Sequence, residues 1–193
     1  MIHCHPDDRS FSRALRDAAV DALTQSGHHV DVIDLYAEGF STAMSLHEWR
    51  AYESETPICD PMVQRHVDLV NKAEAFVFVY PTWWWGMPAM LKGWTERIFV
   101  KGVSFDLDPN TNRVVPLLGH VRRIVGISTY GSPRWAMLFF NDAGRRLVTR
   151  CIRLLCPLRT TRTTWLGLYS LDRCGTHDRE AFVERVRATM RAI

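Results

Sequence analysis

Three adjacent tryptophans, Trp83, Trp84 and Trp85, follow the short apolar run Ala75-Phe-Val-Phe-Val-Tyr80 and Pro81-Thr82, and lead into Gly86-Met-Pro88. Aromatic rings placed after a buried strand are costly if they only face water, and useful if they wrap a flat, mostly apolar ligand. Two further stretches carry compatible chemistry. His5-Pro-Asp-Asp-Arg9 turns into a helix start at Ser10, Phe11 and Ser12. Free N–H groups at such a start, with the Ser10 and Ser12 hydroxyls and His5, can hold a phosphate. Ser128-Thr129-Tyr130-Gly131 offers small hydroxyl residues and a glycine where backbone can approach a ring closely. A phosphate pocket, an aromatic shelf and a close-approach loop on one edge suit a flavin.

The elements that must position these loops follow from periodicity. Met1–Cys4 reads as the stub of a first strand, short for a central one, so the natural start is expected a few residues upstream. A helix capped by Ser10 runs to about Ser26 and ends at Gly27. Val30–Leu35 is a second strand, and residues 36–59 read as irregular or partly helical. Asp60-Pro61 starts a helix that runs to about Ala73. Ala75–Tyr80 is the third strand, and a helix begins near Pro88 and ends near Phe99. Residues 104–120 form a loop. Arg123–Ser128 is the fourth strand, a long helix spans about Trp135–Leu155, Arg162–Leu168 is the fifth strand, and Thr176 or Asp178 opens a last helix. Alternating strands and helices imply parallel pairing with right-handed crossovers. The expected architecture is a three-layer α/β domain over 1–193 with a five-stranded parallel sheet. In such a sheet ligands sit beyond the carboxyl ends of the strands.

Composition narrows the field. The 193 residues are 47% hydrophobic, and no run approaches the roughly 18 residues of a membrane span. Five scattered cysteines without a CxxC pair indicate reduced thiols and a cytoplasmic setting. The net charge of +3 hides an asymmetry: residues 1–100 carry 8 Lys/Arg against 14 Asp/Glu, and residues 101–193 carry 16 against 7. The basic half would attract a phosphorylated ligand, although a solvated helix face explains the same arginines. Nucleic acid is not expected as a partner, since basic residues and aromatics are not interleaved.

Over nearly the whole chain the sequence resembles the flavodoxin-like NAD(P)H:quinone oxidoreductases, the modulator-of-drug-activity and DT-diaphorase types. The matching residues are His5-Pro6, Ser10-Phe11, Asp34–Phe40, the long segment from Pro81 through Trp84-Trp85-Gly86, Pro88-Ala89 and Leu91-Lys92-Gly93-Trp94 to Arg97, and Ser128-Thr129. The resemblance implies the flavodoxin-like strand order 2-1-3-4-5, bound FAD or FMN, NAD(P)H as the reductant and a quinone as the acceptor, with azo and nitroaromatic compounds as further candidates. By position, His5, Ser10, Phe11 and Ser12 would hold the phosphate end. Pro81, Thr82, Trp83, Trp84 and Trp85 would lie along the ribityl chain and ring. Ser128, Thr129 and Gly131 would border the ring's polar edge. The resemblance also implies a homodimer in which Phe105, where relatives carry a substrate-pocket tyrosine, and the 104–120 loop complete the partner's pocket. Larger relatives follow the threonine with two glycines and a Tyr/His proton relay. No His follows within the next helix here, so the resemblance names no relay residue; Tyr130 is one candidate, and solvent or a backbone N–H is the alternative.

Two other readings compete. Relatives serve as flavin-bound ancillary subunits of potassium efflux systems, and nothing in the sequence separates that role from a free enzyme. Cys4-His5-Pro6-Asp7-Asp8 is also similar to the opening motif of zinc-dependent N-deacetylases. Arg9 stands where that family has Glu, and the downstream His-x-x-His is missing, so no metal site is assigned. His3, Lys92 and Arg97 are read as structural.

Overall fold

A computed structural model of the protein describes residues 1–52, 54 and 56–193; Glu53 and Glu55, within the stretch read as irregular, lie outside the described residues. In chain order the elements are β1 (Ile2–His3), α1 (Phe11–Gln25), β2 (Ile33–Asp34), α2 (Leu46–Ala51), α3 (Pro61–Lys72), β3 (Ala75–Pro81), α4 (Ala89–Ile98), β4 (Phe105–Leu107), β5 (Val114–Pro116), β6 (Arg123–Thr129), α5 (Arg134–Phe139) and α6 (Ala143–Arg146). A π-helical turn (Leu147–Ile152) continues α6 and is followed by β7 (Arg162–Leu168) and α7 (Thr176–Arg191). The main sheet has the order β2-β1-β3-β6-β7 and is parallel throughout. With the β4–β5 hairpin set aside, this is the 2-1-3-4-5 order that the resemblance implies.

Both faces of the sheet are apolar, as a doubly covered parallel sheet requires. Phe76, Phe78 and Tyr80 of β3 face α3, α4 and the π-helical turn, where Val67, Trp94 and Val148 pack. Val77 and Val79 face α1 and α7, where Leu15, Ala19, Phe182 and Val186 pack. Leu15, Phe78 and Trp94 are fully buried, and each such side chain contributes about 1.5–3 kcal/mol by leaving water. Gly126 of β6 is a hollow for its neighbour: a Cβ there would lie 2.1 Å from the Trp165 ring of β7.

Several expectations change. The second strand is two residues long rather than six. The 104–120 loop contains the antiparallel hairpin β4–β5. The helix at Trp135–Leu155 is broken: Asn141 and Asp142 have φ of 68° and 33°, so the chain leaves the helical region between α5 and α6. The Asp142 side chain then caps α6 by accepting from the Arg145 N–H at 3.1 Å. Within 36–59, α2 is set by a capping box in which the Glu48 N–H donates to Ser45 Oγ and the Ser45 N–H donates to Glu48 Oε2.

One buried cluster ties α2, α3 and α4 together. Arg97 Nε donates to Glu48 Oε1 at 2.8 Å, Nη1 to the Ser41 carbonyl at 2.7 Å and Nη2 to Asp60 Oδ2 at 2.6 Å. Its guanidinium also lies 5.0 Å from the centre of the Phe40 ring. His66, fully buried, accepts the Trp94 indole N–H at Nδ1 and donates from Nε2 to Glu38. Those two bonds define a neutral tautomer, and burial accordingly lowers its pKa. Both Arg97 and His3 are structural, as read from the sequence: His3 is 1% exposed and its Nδ1 faces Asp34 at 3.1 Å.

Candidate functional site

Three loops leave the carboxyl ends of β1, β3 and β6 and lie side by side. The Thr82 N–H donates to the Thr129 carbonyl at 2.8 Å, and Thr82 Oγ1 meets Ser128 Oγ at 2.9 Å. This joins the second loop to the third. The His5 and Trp83 rings are 5.9 Å apart, which brings the first loop against the second. The sheet therefore gathers the sequence-predicted residues of all three loops on one edge.

In the first loop the Asp7 N–H donates to His5 Nδ1 at 3.0 Å, which fixes the imidazole with Nε2 outward. Ser10 caps α1 by accepting the Arg13 N–H at 3.1 Å. Helix geometry leaves the N–H groups of Phe11 and Ser12 without an intrahelical acceptor. Ser12 is 4% exposed, and its Oγ is buried with no hydrogen-bond partner. A buried hydroxyl left unpaired costs about 1–3 kcal/mol. Next to free amides at the positive end of a 15-residue helix, it has the chemistry to meet an anion.

The tryptophan segment is a reverse turn, not the extended stretch whose rings would alternate. Trp83 and Gly86 exchange both backbone hydrogen bonds, Trp83 N–H to Gly86 O at 3.1 Å and Gly86 N–H to Trp83 O at 3.0 Å. The two residues between them have φ of 46° (Trp84) and 63° (Trp85). A two-residue hairpin turn with both central residues left-handed normally takes Asn-Gly. Side chains with a Cβ pay about 1–2 kcal/mol each for this region. The turn sets the three rings to different tasks. Trp83 flanks His5, Trp85 packs 4.1 Å from Phe140, and Trp84 is 94% exposed.

The third loop corrects the relay expectation. Tyr130 is 1% exposed, its hydroxyl donates to Asp142 Oδ2 at 3.0 Å, and its ring stacks on Tyr169 at 4.4 Å. Burial and the Asp142 carboxyl push its pKa far above the ordinary phenol value. Tyr130 thus ties the loop to α6 and has no face toward the open edge. Burial also raises the Asp142 pKa, opposed by the bonds from Arg145 and Tyr130. Gly144 lets α6 lie close over the site: a Cβ there would come within 3.0 Å of Tyr80 Oη and 3.4 Å of the Gly86 backbone. Gly131 is open, and a Cβ would meet only Asp172 at 3.4 Å. Phe105 opens the hairpin, half-buried and paired with Pro116.

Asp142, Phe139, Phe140 and Tyr169 border these loops and were not singled out from sequence. The Asn141-Asp142 pair, both tolerant of left-handed φ, was the available signal for Asp142. Trp84, Trp135, Leu138 and Phe139 form an exposed apolar surface beside the site, with the Phe139 and Phe140 rings 5.1 Å apart. Among the described residues, no three His, Cys, Asp or Glu side chains come together as a metal site, and no helix is long and apolar enough to cross a membrane.

Comparison with known proteins places this geometry. The profile of the flavodoxin-like fold matches residues 1–148. Ribosyldihydronicotinamide dehydrogenase (quinone) of Pongo abelii is 32% identical over 122 residues, covering 55% of this chain and 53% of the relative. NAD(P)H dehydrogenase (quinone) 1 of Cavia porcellus is 32% identical over 120 residues, covering 54% of this chain and 44% of the relative. The chain thus spans about half the length of the curated relatives it matches. Among solved structures, a Streptococcus mutans protein superposes with a TM-score of 0.83 at 26% identity over the full length of both chains. NAD(P)H:quinone oxidoreductase from Methanothermobacter marburgensis superposes with a TM-score of 0.76 at 24% identity, over 98% of this chain and 93% of that one. With its sheet order, its three loops on one edge and a profile match across more than half its length, the chain belongs to the flavodoxin-like fold family.

Proposed function

We propose that the protein is a flavin-dependent NAD(P)H:quinone oxidoreductase that works as a homodimer. The observation that carries this reading is the first loop. A buried, unpartnered Ser12 hydroxyl and two free amides sit at a helix start, beside an aromatic contact, on the carboxyl edge of the sheet. That donor set fits the phosphate of FMN or FAD. The names of the matched relatives supply the reaction class.

On this reading His5, Phe11 and Ser12 hold the phosphate end, and Ser10 shapes it by capping the helix. Pro81, Thr82 and the Trp83–Trp85 turn wall the ribityl chain and ring, while Ser128, Thr129 and Gly131 border the ring's polar edge. When bound, the flavin supplies two-electron exchange between a nicotinamide and an acceptor. The chain's own work is to fix geometry, exclude water from one ring face and leave the other open to each substrate in turn. Tyr130 and Asp142 contribute by anchoring the third loop. Mixing purified protein with FMN or FAD is expected to give stoichiometric binding and NAD(P)H-dependent quinone reduction with ping-pong kinetics. Failure to bind either flavin would overturn the reading.

The homodimer is supported by the apolar surface around Trp84, Trp135 and Phe139. A 94%-exposed tryptophan held at φ 46° is doubly unfavourable in a lone chain. Trp84→Gly removes the backbone strain and the exposed ring together. It is expected to weaken dimerisation at least tenfold in sedimentation equilibrium and to raise the melting temperature of the monomer. Unchanged association would remove this surface as the interface.

A further inference from the structure

A cavity of about 230 Å³ lies against β7, the outermost strand of the sheet. Trp165 and Gly167 form its floor, and Tyr169 stands at its end toward the third loop. Arg134 of α5, Arg145 of α6 and Arg185 of α7 also line it. Three elements distant in sequence thus bring three guanidinium groups to one small space.

Among the described residues the ion pairs take up other arginines, such as Arg13, Arg16, Arg65 and Arg97, and none of these three. Asp142, which attracts Arg145, is buried and spends its oxygens on the Tyr130 hydroxyl and the Arg145 N–H. Arg185 donates to the Gly167 carbonyl at 3.1 Å and lies 4.7 Å over the Phe182 ring, which fixes it at the cavity with its other N–H groups left for a ligand. The Trp165 indole N–H is buried without a hydrogen-bond partner. A Cβ on Gly167 would lie 3.0 Å from the Tyr169 ring, so glycine lets that ring fold back along the strand, where it stacks on Tyr130. Like charges gathered without an acid repel one another, and a phosphate that accepts several guanidinium N–H groups relieves the repulsion.

Size and position select the ligand. A whole small molecule fills roughly 300 Å³ or more, so a cavity of about 230 Å³ takes one end of a longer one. The cavity also abuts the third loop: β7 runs beside β6 as far as the Thr129–Leu168 pair, and the Tyr130 N–H donates to the Leu168 carbonyl at 2.8 Å. A ligand with one end over the flavin ring near Gly131 and the other in this cavity spans two neighbouring strand ends. We propose that Arg134, Arg145 and Arg185 hold the 2′-phosphate of NADPH and select it over NADH as the reductant. This assignment rests on the reductase reading above. The two nucleotides differ by that phosphate alone, and NADH would leave the three charges uncompensated.

Calorimetric titration of the flavin-free chain with adenosine 2′,5′-bisphosphate, 5′-AMP and inorganic phosphate reads the site without turnover. The bisphosphate is expected to bind about tenfold or more tightly than either of the others. The triple variant Arg134→Ser/Arg145→Ser/Arg185→Ser should abolish the difference. Arg134→Ser alone, at an exposed position, should reduce it about threefold or more. In flavin-loaded protein the kcat/KM ratio of NADPH to NADH should be about ten or higher and fall toward unity in the triple variant, through the KM for NADPH. Equal binding of the bisphosphate and 5′-AMP, inorganic phosphate bound as tightly as the bisphosphate, or a preference that survives in both variants would overturn the assignment. The reductase reading fails separately, on a chain that takes up neither flavin. A flavin-loaded chain that uses both nucleotides equally removes the arginine assignment alone.

Discussion

Arg97→Ala is expected to lower the stability of the folded chain by about 3 kcal/mol or more, the scale for removing one partner of a buried ion pair. The Arg97 side chain is 3% exposed and serves two carboxylates, a carbonyl and an aromatic face at once. Its loss leaves Glu48, a side chain 11% exposed, with only the Ser45 N–H as partner, and unties α2 and α3 from α4 together. Arg97→Lys keeps the charge but cannot span three acceptors that diverge from a planar fork, so most of the loss should remain. Chemical denaturation at pH 7 measures both.

Acid titration gives an independent readout. Burial alone would raise the pKa of Glu48 and Asp60, but hydrogen bonds from Ser45 and Arg97 to Glu48, and from Arg97 and the first α3 amides to Asp60, outweigh it and lower both. A carboxyl group with a lowered folded-state pKa stabilises the fold above its ordinary value and loses that contribution as pH falls through the folded-state value. The wild-type chain should therefore lose stability below about pH 4.5 more steeply than Arg97→Ala. Equal acid slopes would show that Arg97 does not act through these two carboxylates.

The second large effect separates stability from binding. Ser12→Ala removes an unpaired buried hydroxyl, so the flavin-free protein should melt at the same temperature or slightly higher. Flavin affinity should fall about tenfold, the value of one hydrogen bond to a charged group. Ser12→Asp places a carboxylate among the same amides and should lower affinity about 100-fold or more by repelling the phosphate. Fluorescence titration with FMN and FAD reads both variants. Unchanged affinity in Ser12→Asp would move the phosphate elsewhere on the sheet edge and leave the proposed reductase reading to stand or fall on cofactor binding itself.

The sheet was legible because its strands are short, apolar and separated by helices with clear start signals. Asp60-Pro61 and Ser10 cap the helices they were expected to cap. The misses have local causes. Asn141 and Asp142 break a helix whose apolar spacing runs on across them, because apolar periodicity carries no record of a left-handed kink. The β4–β5 hairpin bears exposed valines on short strands, so it shows no buried pattern. At the site, residue types pointed to three loops that the fold brings to one edge, but only geometry could divide the tryptophans between contacts with His5, with Phe140 and with solvent. Likewise, the sequence places Tyr130 beside Gly131, and only the fold reveals that its hydroxyl turns inward to Asp142.

The hollow at Gly126 also acts as a gauge for how the outermost strand is laid down. Parallel strands can slide by two residues and keep the same faces, and an edge strand has only one neighbour to prevent this. Here a slide would carry the Trp165 indole off Gly126 and onto the position of Ile124 or Ser128, where a side chain already stands. The wrong alignments are rejected by overlap, so the β6–β7 ladder closes in one alignment only.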